Sequence, residues 1–351
     1  MRPSDLPLFA LLALAGCVVP FDHEFDGAGG SGGSAGTGGE SPVITGCLPF
    51  HSAAGLSALS GDGRSLTRQD GSSLWIFDSA VFNGAAVSTP GFVVSGALRA
   101  DCSTAPEGSP TPLFAPSPVA ADAVFSALDG VDTGLYYQLL RRDPSAPFGL
   151  RAEGFGLAKS DPATGRFVPG SALLWSSDRP GYGTSAVRSG DSVYVYGCQT
   201  SGLTGSCFVA RAPAAGLDSA ASYTYFTGAT WSASPDDAAS IVEAGAVSVR
   251  YLPAKARWLM TYVPPLGREL MLRAAVAPEG PWSAPIALGA CDLAVADPAA
   301  FCAGGVQHAE VAPEGSLALT YGATSFTPDA SAPREAYWPR LALLPLPASL
   351  P

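Results

Sequence analysis

Lysine is almost missing from this chain of 351 residues: Lys159 and Lys255 are the only two. Chemistry built on a lysine amine therefore has few candidates. Charge is sparse, at 14% of residues, and 19 basic against 30 acidic side chains leave a net charge of -11. The positive field that gathers phosphates is absent, which argues against a nucleic-acid partner. Long breaker-free runs are also lacking, because 41 glycines and 32 prolines interrupt the chain. That disfavours helical bundles and coiled coils, which need sustained runs of good helix formers. What is present is apolar: 47% of residues are hydrophobic, too many for a globally disordered chain.

The first seventeen residues read as an export signal. Arg2 supplies a thin positive start, and Leu6 to Ala15 is an apolar run too short to span a bilayer. It ends in Leu14-Ala15-Gly16-Cys17, which resembles the lipobox of bacterial lipoproteins. The resemblance implies cleavage before Cys17 and lipid attachment to it, with acyl chains holding the protein at a membrane. Residues 18–44 follow as a tether. Gly27 to Gly39 offers no side chain able to build a core, and it should reach roughly 20 Å as a flexible spacer. Gly29-Gly30-Ser31-Gly32-Gly33 matches the G-x-S-x-G pattern of hydrolases only formally, since no apolar strand leads into it.

Six cysteines remain beyond Cys17: Cys47, Cys102, Cys198, Cys207, Cys291 and Cys302. An even number in an exported chain points to three disulfides, although six cysteines allow fifteen pairings. Spacing suggests local pairs, Cys198 with Cys207 and Cys291 with Cys302, leaving Cys47 for Cys102. No C-x-x-C pair exists, and His51 and His308 are the only histidines after the tether. A zinc site is therefore not expected.

Residues 45–346 alternate short apolar strands with Gly/Pro turns, and residues 347–351 form a short tail. One strand type recurs, marked by Trp75, Tyr136, Tyr194, Trp258 and Ala318, with steps of 61, 58, 64 and 60 residues. Each period has room for four strands. Five such periods fit an all-β, five-bladed β-propeller better than a β-sandwich, because a closed ring lets every small sheet cover both faces of its neighbours.

Gly61-Asp62-Gly63-Arg64-Ser65 with Asp70 to Ser79 resembles the opening blade of glycosidase-like five-bladed propellers. It is most similar to the family called domain of unknown function 4185, in which a strand ends in Phe-Gly-Asp-Thr. Here the strand ends in Phe77-Asp78-Ser79, one residue shorter. Val247 to Tyr251, Trp258 to Tyr262 and Pro278 to Pro285 resemble the fourth blade of that family and of glycoside hydrolase family 43 relatives. His308-Ala309-Glu310 precedes the last marker strand in the same way. The resemblance implies a polysaccharide as partner, with arabinan-type substrates among the family's enzymes.

Glycoside hydrolysis needs two carboxyl groups flanking the scissile bond, one to donate a proton and one to attack or to activate water. Asp62 and Asp78 stand at the two ends of the first-blade hairpin and match the family's acidic positions approximately, so they are the leading pair. Asp62 within Gly-Asp-Gly also reads as an ordinary turn residue. Glu243 comes next, just before the apolar run Ala244 to Val249 expected to be an inner strand. His308 and Glu310 would share one strand face and could contact sugar hydroxyls or an ion. Arg250 and Arg273 could neutralise any of these acids or bind substrate. No cofactor is required, although a structural calcium ion in the channel is compatible with the fold.

These readings converge on a monomeric, lipid-anchored propeller of the bacterial cell envelope, at the outer membrane or cell surface. It would bind polysaccharide and hydrolyse it through a carboxyl pair. The rival is a non-catalytic surface lipoprotein of the same build that binds carbohydrate or protein. The shortened Phe-Asp-Ser strand end weighs toward the rival, since a catalytic carboxylate tolerates little displacement.

Overall fold

A computed structural model describes residues 42–67, 71–95, 101–104, 106–115, 122–131, 134–146, 149–201, 204–293, 300–308, 312, 314–325 and 338–350. The signal segment, Cys17, the glycine-rich stretch and Glu310 lie outside the described residues. The regular structure of the rest is almost all strand, in five up-and-down blade sheets and one further three-stranded sheet. Each blade runs outward from an inner strand. Blade 1 is Arg64–Thr67, Ser73–Ile76, Pro90–Val94 and Thr111–Pro112. Blade 2 is Ala123–Val131, Gly134–Arg142, Leu150–Asp161 and Arg166–Pro169. Blade 3 is Gly181–Ser189, Ser192–Ser201, Thr204–Pro213 and Thr224–Phe226, edged by Trp231–Ser232. Blade 4 is Ser248–Leu252, Arg257–Tyr262, Glu269–Ala275 and Ile286–Cys291. Blade 5 is Phe301–Gln307, Ser316–Thr324 and Arg340–Pro345.

All five marker residues fall on the second strand of a blade, so the repeat read from the sequence is the blade repeat. The reason for a ring is visible in the alternation along those strands. Val193 and Val195 face blade 2, where they meet Leu128, Tyr136 and Phe155. Tyr194 and Tyr196, one residue out of phase, face Val249, Met260 and Tyr262 of blade 4. Leu259 turns the other way, with Leu270 and Leu272, onto Leu317, Leu319 and Tyr321 of blade 5. Ala318 and Leu341 of blade 5 then meet Trp75, Phe77 and Phe92 of blade 1. Ile76 and Leu113 finally meet Ala127, Leu135 and Tyr137 of blade 2. Five apolar seams join five blades, and each blade is covered on both faces by its neighbours.

The chain ends lock the ring. Val43–Ile44 adds in parallel to the outer strand of blade 4, at Ala290 and Cys291, so strand pairing begins two residues before position 45. Cys47 then bridges to Leu341 of blade 5. Leu350 packs against the seam between blades 4 and 5, so the C-terminal tail is also held. The disulfides are Cys47–Cys102, Cys198–Cys207 and Cys291–Cys302, the local pairing that spacing suggested. Such a set belongs to a protein that folds in an oxidising compartment. Among the described residues no helix is long and apolar enough to cross a membrane.

Near the axis the seams become polar, and each pair of adjacent blades is clasped by hydrogen bonds. Thr89 Oγ1 donates to Phe125 O at 2.6 Å between blades 1 and 2. Asp129 of blade 2 accepts from the Ala186 backbone N–H of blade 3 at 2.9 Å. Ser185 Oγ of blade 3 accepts from Val249 N of blade 4 at 3.0 Å. Gln307 of blade 5 bonds Ser248 of blade 4 through its backbone N–H, at 3.0 Å, and its side-chain amide, at 2.7 Å. Ser65 of blade 1 bonds His308, next to the inner strand of blade 5, at 2.6 Å.

The Asp129 clasp is the most charged. Its two oxygens take Arg250 Nη1 at 2.8 Å and Nη2 at 3.1 Å, so blades 2 and 4 are joined across blade 3. Burial pushes the Asp129 carboxyl up, but Arg250, Arg64 and the Ala186 N–H together hold it below the usual carboxylate range. Asp129→Ala would remove the buried counter-charge of the half-buried Arg250 guanidinium. We expect a loss of about 3–5 kcal/mol in urea unfolding at neutral pH. The loss should shrink in an Asp129→Leu/Arg250→Met double variant.

Candidate active site in blade 1

Asp62 and Asp78 meet because a small extra sheet is inserted into blade 1. Its strands are Leu56–Ser60, Ser79–Phe82 and Ala85–Ser88. The chain passes between this sheet and the blade three times, at Gly61-Asp62-Gly63, at Phe77-Asp78 and at Thr89, and the first two crossings carry the aspartates. These two run antiparallel: Arg64 pairs Ile76 on the blade side, and Ser60 pairs Ser79 on the other. Asp78 N donates to Ser60 O at 3.0 Å, and Asp78 O accepts from Thr89 N at 2.9 Å, so the Asp78 backbone is pinned from both sides. Gly61 has φ 105° and Gly63 has φ 68°, the left-handed conformations that glycine adopts without strain.

Both aspartates are half-buried, in a recess also lined by Arg64, Ile76, Phe77, Ser126, Ala127 and Leu128. Its free volume is about 20 Å³, room for one water molecule. Burial pushes the Asp78 carboxyl up to about 8, assisted by the neighbouring Asp62 charge and opposed by Arg64. Burial also raises Asp62, again with Arg64 opposing. Two carboxylates beside one guanidinium in a confined space retain a proton at neutral pH, because both cannot ionise without an uncompensated charge. Arg64 itself reaches across the axis and donates from Nη1 to Thr184 O at 2.9 Å.

The other residues singled out from sequence lie elsewhere. Glu243 is exposed in the segment between blades 3 and 4, outside the recess. Arg250 does neutralise an acid, but the acid is Asp129. Arg273 donates from Nε to Tyr262 OH at 3.1 Å and from Nη1 to Ser283 O at 2.8 Å. It ties the Pro281-Trp282-Ser283 segment to blade 4 rather than lining the recess. Asp129 and Arg64 were missed by sequence reasoning. A lone acid inside the apolar run Ala123 to Leu128-Asp129 was the available signal for the first, and Arg64 stands directly after Gly-Asp-Gly.

His308 is fully buried at the ring closure, stacked on Trp75 with centroids 4.4 Å apart. Its tautomer follows from its neighbours. Thr320 Oγ1 donates to Gly63 O at 3.0 Å, so it must accept from His308 Nε2–H at 2.8 Å. Nδ1 is then the acceptor for the Ser65 hydroxyl. The Ser65–His308 pair has the outline of a nucleophile and base. However, burial, Arg250 and Arg64 push the imidazole down to about 3, with Asp129 opposing, which makes it too weak a base for that work. His308 therefore acts as a neutral clasp between blades 5 and 1. Among the described residues no three His, Cys, Asp or Glu side chains converge as a metal site requires.

The architecture is that of a β-propeller whose first blade carries a paired-carboxyl recess. Residues 162–326 match the family model described as Domain of unknown function (DUF4185). That span covers the fourth-blade motif and His308, but not the Asp62 and Asp78 crossings. No curated protein matches the chain. Among solved structures, a protein described as a "putative hydrolase" from Bacteroides ovatus has a TM-score of 0.60 at 16% identity, over 84% of this chain and 87% of that one. An exo-beta-1,3-galactanase from Phanerochaete chrysosporium has a TM-score of 0.50 at 12% identity, over 88% of this chain and 65% of that one. At such identities these likenesses show the shared propeller fold.

The raised Asp78 carboxyl makes a signed prediction. Its contribution to stability is full below the unfolded carboxylate value, about 4, and is lost as pH rises toward about 8. Asp78→Asn cannot ionise. Urea midpoints measured from pH 4 to pH 9 should fall for the wild type relative to this variant, and parallel curves would contradict the assignment.

Proposed function

We propose that this chain is an envelope-tethered propeller that binds polysaccharide and hydrolyses it at the Asp62–Asp78 recess. The observation that carries the reading is the carboxyl pair itself: two acids at one recess, with a single arginine, retaining a proton at neutral pH. That is the protonation state hydrolysis needs at its start. The protonated carboxyl gives its proton to the glycosidic oxygen as that bond breaks. The other takes a proton from water as the water oxygen bonds the anomeric carbon. The water-sized recess suits that attacking water, with the sugar presented at its mouth. Resemblance suggests arabinan-type or galactan-type chains. The small recess also favours a second reading, a non-catalytic carbohydrate-binding module, because no sugar ring fits inside it.

The deciding experiment incubates the purified full chain with arabinan, β-1,3-galactan and xylan and measures reducing ends. We expect release from at least one glycan, lowered about a hundredfold or more in Asp62→Asn and in Asp78→Asn. Release that both variants retain would remove the pair from catalysis. No release from any glycan would favour the binding module.

Tethering rests on the lipobox-like Leu14 to Cys17 and is tested separately. Expressed in a bacterial host, the wild-type chain should sediment with membranes, and Cys17→Ser should move most of it to the soluble exported fraction. Equal distribution of the two would remove the lipid anchor.

A further inference from the structure

The recess lies at one end of the ring, where Arg64–Thr67 begins. At the other end, where the inner strands finish, the surface opens into three hollows that adjoin in series. The central one, of about 520 Å³, sits on the axis. It shares Val131 and Arg188 with a hollow of about 630 Å³ between blades 2 and 3. It shares Arg250 and Tyr251 with one of about 220 Å³ between blades 4 and 5. The three form one trough across the face of the ring opposite the carboxyl pair.

We propose that this trough binds an extended glycan chain, as a second site separate from the Asp62–Asp78 recess. The proposal rests on the polysaccharide reading above and adds a place and an orientation to it. Shape argues for an extended ligand, since neighbouring hollows share lining residues in series across the face. The lining argues for sugar. Tyr251 is 43% exposed, unusual for a large aromatic here, and its ring packs on Trp258 with centroids 5.0 Å apart. It is an aromatic platform braced from behind, which a sugar ring can cover. Arg188, on the exposed side of the blade 3 inner strand, brings a guanidinium to the same hollow, and Thr67 brings a hydroxyl. An aromatic surface beside a few directional polar groups is the chemistry of a hydrophilic, ring-bearing ligand.

The test reads binding, not turnover. The full chain carrying Asp62→Asn and Asp78→Asn is run in affinity electrophoresis through gels containing arabinan or β-1,3-galactan. Tyr251→Ala and Arg188→Ala are then added in that background. Both substitutions are at exposed positions, and circular dichroism checks the fold. We expect the acid-pair variant to be retarded like the wild type, and Tyr251→Ala to weaken retardation about tenfold. Arg188→Ala should weaken it too. Loss of retardation in the acid-pair variant itself would place the sugar at the recess, and retardation of that variant left unchanged by both Tyr251→Ala and Arg188→Ala would place it outside the trough; either result overturns the proposal. No retardation of the wild type by either glycan would also overturn it. Absence of hydrolysis with retardation intact would instead count against the carboxyl-pair reading alone.

Discussion

The structure depends on one geometric constraint: every sheet must bury two apolar faces, and only a closed circle of sheets gives each face a partner. The period-two alternation of Val193, Tyr194, Val195 and Tyr196 sends side chains to blades on both sides. A missing blade would leave two such surfaces in water. The seam where the last blade meets the first is reinforced by covalent and hydrogen bonds. Cys47 bridges Leu341 and is disulfide-bonded to Cys102. The Ser65–His308–Thr320–Gly63 chain joins the last blade to the first. Each donor in that chain meets one acceptor, so a buried imidazole is accommodated with no charge on it.

The axis shows how carboxylates of one sheet type acquire different fates. Asp129 is buried, but it holds both guanidinium nitrogens of Arg250 and a backbone N–H, and it stays ionised. Asp62 and Asp78 share the influence of one arginine, whose Nη1 also bonds a carbonyl on blade 3. Burial is common to all three. What separates a structural carboxylate from one that can pass a proton is the number of cations and N–H donors per acid.

The sequence made the blade repeat legible because each second strand carries a large or apolar marker after a polar turn, and Trp75, Tyr136, Tyr194 and Trp258 all fall there. The pairing of neighbouring cysteines was legible for a similar reason, since hairpin partners are close in sequence. The partnership of Arg250 with Asp129 was not. The two are far apart in the chain, and only the ring places them face to face. Arg273 and Glu243 show the converse problem. Glu243 stands before a run that suggests an inner strand, and Arg273 could have neutralised one of the acids, but Glu243 is exposed between blades 3 and 4 and Arg273 bonds Tyr262. Position along a strand indicates depth in a propeller far better than it indicates which neighbour a side chain meets.

The carboxyl recess itself is made by what glycine omits. A Cβ placed on Gly61 would lie 2.8 Å from Asp78 Cγ, closer than any side chain tolerates. One on Gly304, in the inner strand of blade 5, would approach Asp62 Oδ1 at 3.3 Å. Both glycines also have positive φ, 105° at Gly61 and 92° at Gly304, so a side chain there is disfavoured by backbone conformation as well as by space. The shortened Phe77-Asp78-Ser79 turn brings Asp78 tightly against its antiparallel neighbour, and the bare Cα of Gly61 accepts it. A strand end one residue shorter thus still delivers a carboxyl beside Asp62, but into a space fit for a water molecule. A sugar acted on there would have to meet the carboxyl pair at the mouth of the recess, from outside.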